Sequence, residues 1–144
     1  MATRFSDIYD RAVFRFQDYD FLKIPEESRR RVLRKYLDMA AMDFKKSCPY
    51  DLTKFTEEGD EYADDLDMEC QEILSLGVAY YWTSFKILDS EKLRNSMSTK
   101  EYTFFSPANL LREAQTLRDS LKKEFNDAII NYSYYNGDIA SVGV

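Results

Sequence analysis

Histidine is absent from the chain. The commonest general base and the commonest transition-metal ligand are therefore missing. Ser-His-Asp and Cys-His catalytic arrangements are excluded with them, while carboxylate-only or lysine-based chemistry survives. Glycine and proline are scarce, at four and three residues. So few breakers argue against a β-rich fold with many tight turns and for long helices. No apolar run approaches the ~20 residues that a membrane-spanning helix needs. The stretch from Met1 to Phe16 is charged and aromatic, without the apolar centre of a signal peptide. The two cysteines, Cys48 and Cys70, belong to no CxxC motif. With no sign of secretion they are expected as free thiols in a reducing cytosol. Neither a P-loop nor a GxGxxG or GxSxG motif occurs. No catalytic residue, cofactor or metal ligand is expected, and no membrane partner.

What is present points to one helical domain. A chain of 144 residues fits a single domain, and one of this size buries about 70% of its unfolded surface. Eleven Tyr and ten Phe supply large contact areas. The formal net charge of −6 argues against nucleic-acid binding by overall charge.

The periodicity predicts about four helices. From Ser6 to Phe16 the apolar residues Ile8, Tyr9, Ala12, Val13 and Phe16 recur at helical spacing. Residues 17–24 read as a loop. Pro25 opens a second helix, with Glu26 and Glu27 at the positive end of its dipole. Its stripe is Val32, Leu33, Tyr36, Leu37, Ala40 and Phe44, and Cys48-Pro49 ends it. Residues 49–66 read as a loop. A third helix is expected to start near Asp65 or Asp67 and to be apolar nearly all round, hence central, with Gly77 allowing a close helix contact. Residues 97–105 read as an extended loop. Ser106-Pro107 starts the last helix as N-cap and first helical residue, with the stripe Leu110, Ala114, Leu117, Leu121, Phe125, Ala128 and Tyr132. Gly137 suits a left-handed cap at its end. The expected fold is all-α, with a helical-bundle domain over 1–137 and an extended tail over 138–144. Helices 67–95 and 107–135 should form the centre, packed through Ile73, Leu74, Trp82, Leu117, Leu121 and Phe125.

Four features are candidates for function, each with a plain alternative. Between Glu57 and Glu72 there are nine carboxylates, and no Lys or Arg lies between Lys54 and Lys86. This run does not fit the EF-hand spacing and reads as a solvated loop and helix start; tight divalent-ion binding there would favour a metal protein. The cluster Arg29, Arg30, Arg31, Arg34 and Lys35 is either a solvated face paired with Glu26 and Glu27 or a contact for phosphates or an acidic partner. Head-to-tail copies of the chain could match its basic patch to its acidic run. Tyr80, Tyr81, Trp82 and Phe85 read as core rather than as a stacking platform. The tail Asp138, Ile139, Ala140, Ser141, Val142, Gly143 and Val144 is either a frayed end or a segment that lies extended on a neighbour.

From Tyr81 to Asp138 the chain also resembles small structural proteins of phages that infect Gram-positive bacteria. The likeness lies in Glu91-Lys92-Leu93-Arg94-Asn95, in Thr99-Lys100-Glu101, in Phe104-Phe105-Ser106-Pro107-Ala108-Asn109-Leu110-Leu111 and in Tyr132-Ser133-Tyr134. It implies a head–tail connector (adaptor): a helical subunit of a ring, typically of twelve, beneath the portal. The resemblance implies that residues 138–144 engage the portal. It makes Lys100, Tyr102, Phe104 and Phe105 of the loop, with Arg29, Arg30 and Arg34, candidates for intersubunit contact. Partners would be further copies of the chain, the portal protein and the next neck or tail-completion protein. DNA would slide past acidic lumen residues without specific binding. The location would be the virion neck, after assembly in the host cytoplasm. The alternative is a helical DNA-binding protein of packaging or regulation that uses Arg29 to Lys35. Salt-dependent DNA binding lost on changing Arg29, Arg30 and Arg34 to Ala would favour it.

Overall fold

The structure is a computed structural model. It describes residues 2–16, 25–96 and 108–134, with backbone alone at 16, 88–96 and 108–111. The described residues are mostly helical: α1 (Phe5–Phe16), α2 (Glu26–Phe44), α3 (Met68–Ser96) and α4 (Ala108–Tyr132). Two short strands, β1 (Thr3–Arg4) and β2 (Glu61–Tyr62), make the only sheet among them. The expected loops at 17–24 and 97–105 and the tail at 138–144 lie outside the described residues.

α3 is the central element and packs on the three other helices. Every residue from Ile73 to Ala79 is buried. Consecutive burial on a helix means that neighbours surround it, as its all-round apolarity predicts. Two hydroxyls caught inside it are satisfied by its own backbone. Ser75 Oγ donates to the Glu72 carbonyl (2.7 Å) and Thr83 Oγ1 to the Ala79 carbonyl (2.9 Å). The core joins Leu33, Leu37, Ala40 and Phe44 of α2, Ile8 and Ala12 of α1, and Leu121, Phe125 and Tyr132 of α4. Five of the six residues expected at the centre are buried, and Leu117 packs partly buried against them.

Gly77 makes the α2–α3 crossing possible. A Cβ there would lie 2.4 Å from Ala40 Cβ and 2.9 Å from Phe125 Cζ. Phe125 thus faces Gly77, while Tyr132 reaches back to Asp67 at the start of α3. α3 and α4 therefore run antiparallel.

The starts of α2 and α3 match their sequence signals, while Ser106-Pro107 and Gly137, expected to bound the last helix, lie outside the described residues. Pro25 is the N-cap of α2, and the Arg29 N–H donates to its carbonyl at 2.9 Å. α2 ends at Phe44, ahead of Cys48-Pro49, and residues 45–47 form a turn. Asp67 caps α3: its Oδ1 accepts from the Cys70 N–H at 2.7 Å. Its Oδ2 accepts from Tyr132 Oη at 3.0 Å, so one carboxylate fastens the start of α3 to the end of α4. Asp67→Ala should cost about 1–2 kcal/mol, and Asp67→Asn less than half of that because the amide oxygen still accepts. Urea denaturation of the two variants checks this. Equal losses would show that the cap is not the source.

The 49–66 segment departs from the expected loop. Leu52, Tyr62 and Leu66 are buried, and β2 pairs antiparallel with β1 (Thr3 opposite Tyr62, Arg4 opposite Glu61). Thr3 Oγ1 donates to the Asp64 carbonyl (2.9 Å) and accepts from the Leu66 N–H (2.8 Å). The segment is a strap held on the bundle by the N-terminal residues.

Candidate interaction surfaces

α2 carries the basic cluster, and its arginines do different things. Arg30 pairs with Glu26 one turn earlier (3.0 Å) and both are well exposed. Such a pair contributes only ~0.3–0.5 kcal/mol. Arg31 and Lys35 are exposed. Arg34 is committed inside the chain. Its Nη1 donates to the Gly59 carbonyl (2.7 Å) and its Nε to Asp38 (3.0 Å). Its guanidinium lies 4.5 Å from the Phe5 ring centroid and 4.7 Å from that of Phe55.

Part of the acidic run stands beside this face. Glu58, Asp60 and Glu61 border the same cavity as Arg30, Arg31 and Arg34, about 600 Å³ in volume. The strap turns at Gly59, whose φ of 77° lies in the left-handed region, and that turn brings the acids beside α2. Head-to-tail complementarity between separate patches is thus replaced, in part, by compensation within one chain. The carboxylate oxygens of Glu58, Asp60 and Glu61 lie within 4.8 Å of one another, on mostly exposed side chains.

A second surface lies between α1, α3 and α4, a cleft of about 700 Å³ lined by Asp10, Phe14, Leu117 and Leu121 among others. Arg11 and Arg15, one turn apart on α1, both bind the Glu72 carboxylate of α3. Arg15 also reaches Glu124 of α4 at 3.6 Å. Between these arginines Phe14 points outward and is 77% exposed. Burying a phenylalanine is worth about 1.5–3 kcal/mol, so this ring is available to a partner. On another side, Asp43 of α2, Tyr80 and Tyr81 of α3 and Ile129 and Ile130 of α4 line a third recess, where Ile130 is 63% exposed.

No protein-family model, characterised protein or solved structure matches the chain. The surfaces must be read on their own chemistry. The aromatic group on α3 is core and its edge. Trp82 is buried, Tyr36 meets it edge-on and stacks on Phe85 at 5.3 Å. Tyr81 Oη donates to Asp43, and desolvation with that carboxylate nearby raises its pKa. Burial pushes Tyr9 up to about 12, against the opposing charge of Arg34. Both phenols stay protonated at neutral pH and act as donors or packing groups. Lys100, Tyr102, Phe104, Phe105 and the tail 138–144 lie outside the described residues. The outward Phe14 and Ile130 lie off the apolar stripes of their helices, and single apolar residues on a polar face are too common to stand out in a sequence.

Proposed function

We propose that the chain is a structural subunit of a phage neck, an adaptor that forms a ring beneath the portal and bridges capsid to tail. The likeness of residues 81–138 to connector proteins carries this reading. The mostly helical architecture is compatible with it. A closed ring of identical subunits needs two different contact surfaces on each copy, since its interfaces are heterologous. The cleft beside Phe14 and the recess beside Ile130, on different sides of the bundle, are two surfaces of that kind. Within this reading, residues 138–144 dock on portal, and Arg29, Arg30 and the 97–105 loop contact neighbours. The role is mechanical: to hold head to tail and leave a passage for DNA.

Cryo-electron microscopy of purified necks, or of this protein mixed with portal, tests the reading. The expected result is density for the chain in a symmetric ring with residues 138–144 against portal. A monomer that ignores portal and binds duplex DNA in a salt-dependent way would overturn it in favour of the DNA-binding alternative. A surface variant adds a second check. Phe14→Glu should keep the helical circular dichroism of the parent and lower its ring assembly on portal at least ~10-fold, since a lost buried aromatic costs more than 1.4 kcal/mol. Unchanged assembly would remove the α1 cleft from the interface.

A further inference from the structure

The two outward apolar side chains stand on opposite flanks of α4, and the unpaired charges beside them differ in sign. On α1, Asp7, Asp10 and Phe14 are spaced by three and four residues, so they share one face of the helix. All three are exposed. The neighbouring arginines are occupied, Arg11 by Glu72 and Arg15 by Glu72 and Glu124. Asp7 and Asp10 form no ion pair with another described residue. Phe14 is thus an apolar knob with two unpaired carboxylates beside it.

On the other flank of α4, the recess between α2, α3 and α4 has a volume of about 520 Å³. Tyr80, Phe125, Ile129 and Ile130 give it apolar walls. Lys122 is the cation that lines it, and Lys123 follows in the chain. Both lysines are exposed, and neither pairs with another described residue. The recess's own carboxylate, Asp43, accepts a hydrogen bond from Tyr81 Oη. Asp127 does not line it. The recess is an apolar hole with a free positive rim.

We propose that Phe14 of one copy of the chain seats in the Ile130 recess of the next, with Asp10 set against Lys122. Knob and hole lie on opposite flanks of one bundle, so neither fills the other within a chain. Between two copies an apolar knob meets an apolar hole, and carboxylates meet ammonium groups, which fixes the partner and its register. Each copy then presents a different surface to each neighbour, so the contact is heterologous and repeats. Closure of such contacts into a ring rests on the adaptor reading above; the contact itself rests on the two faces.

The test uses the full-length chain without portal. A photoreactive benzophenone analogue of phenylalanine at position 14 keeps the aromatic knob. This light protein is mixed with a nitrogen-15-labelled wild-type chain, irradiated and mass-mapped, so that a heavy partner peptide marks a contact between copies. Cross-links are expected on the heavy α4 peptide that holds Ile129 and Ile130. Asp10→Lys on the light copy should cut their yield at least ~5-fold, because like charges then face each other. A heavy copy carrying Lys122→Glu and Lys123→Glu should restore it. Cross-links that fall mainly on heavy α1 would show a two-fold contact and overturn the proposal. So would cross-links no denser on α4 than those from the same analogue at exposed Arg31, or a charge reversal that the heavy variant does not rescue. A ring on portal built through another lateral contact would overturn this pairing and leave the adaptor reading standing. Cross-links on α4 from a chain that ignores portal would do the reverse.

Discussion

Gly77→Leu should leave no stably folded protein at room temperature, and Gly77→Ala should cost about 1–3 kcal/mol despite improving the helix. The sign for alanine is a contest between two effects. Alanine in place of glycine within a helix gains ~1 kcal/mol of intrinsic propensity. Against this, the added Cβ would sit 2.4 Å from Ala40 Cβ, far inside the 3.5–4.0 Å at which carbon atoms attract. Neither Cβ can rotate away, so α2 and α3 must separate by about an ångström. The helix pair then loses contacts along its whole length, because packed interiors leave little slack. Overpacking of this kind costs ~1–3 kcal/mol. The Phe125 ring edge at 2.9 Å is a softer obstacle that a ring tilt can relieve. Leucine has no such escape. Its side chain would have to occupy the space of Ala40 and Phe125 together, and the cost should rival the ~5–15 kcal/mol that holds a domain of this size together. The decisive measurement is a double-mutant cycle by urea denaturation. Ala40→Gly removes the opposing methyl, so Gly77→Ala should cost at least ~1 kcal/mol less in that background than in the wild type. If the two changes simply add, or if Gly77→Ala alone stabilises, the close crossing is not what the glycine is for.

That crossing was partly legible in the residues themselves. A single glycine within the apolar run from Ile73 to Leu88 points to close approach, although the partner helix is not named by the run. The helix starts were readable for the same local reason. Pro25 and Asp67 act within one turn of their own position, through φ restriction and capping. The strap from 49 to 66 was not readable. Its three anchors, Leu52, Tyr62 and Leu66, are spaced like neither a helix nor a strand, and its hydrogen-bonding partner is Thr3, more than fifty residues away. Two-residue strands leave no period to detect. The charged runs were visible in the sequence, but it could not say that the Gly59 turn would set three of the acids beside the arginines of α2. The part of the candidate site that rests on resemblance, in the 97–105 loop and the 138–144 tail, lies outside the described residues.

Arg34→Ala should destabilise the protein by about 2–3 kcal/mol, the largest effect of any charged surface position considered above. Its side chain is about one-third exposed, yet it gathers three separate parts of the chain. The Nη1–H to the Gly59 carbonyl is a charge-assisted bond across the strap, of a class worth ~1.5–3 kcal/mol. The rings of Phe5, at the start of α1, and Phe55, in the strap, stand edge to face (81° between planes) and form a corner in which the same guanidinium rests, each contact adding ~0.5–1 kcal/mol. The Asp38 pair, one turn along α2, is half-exposed and adds little. These terms overlap, so the net is smaller than their sum. Arg34→Lys should recover less than half of the loss, because a single ammonium cannot meet both rings, the Gly59 carbonyl and Asp38 at once as the forked guanidinium does. The damage should also be local. Amide exchange should quicken first at Phe5, whose N–H donates to the Asp60 carbonyl, and at Thr56, whose N–H donates to Glu61, while α3 and α4 keep their protection. Uniform loss across the bundle would mean that Arg34 supports the core rather than the strap. The same result decides how the DNA-binding alternative has to be tested. An alanine at 34 would loosen the strap and move the acids at 58, 60 and 61, so reduced DNA binding in that variant would carry no information about phosphate contacts. Arg30 and Arg31, which lie along the same face without holding the strap in place, are the positions at which a fall in salt-dependent binding would speak for DNA.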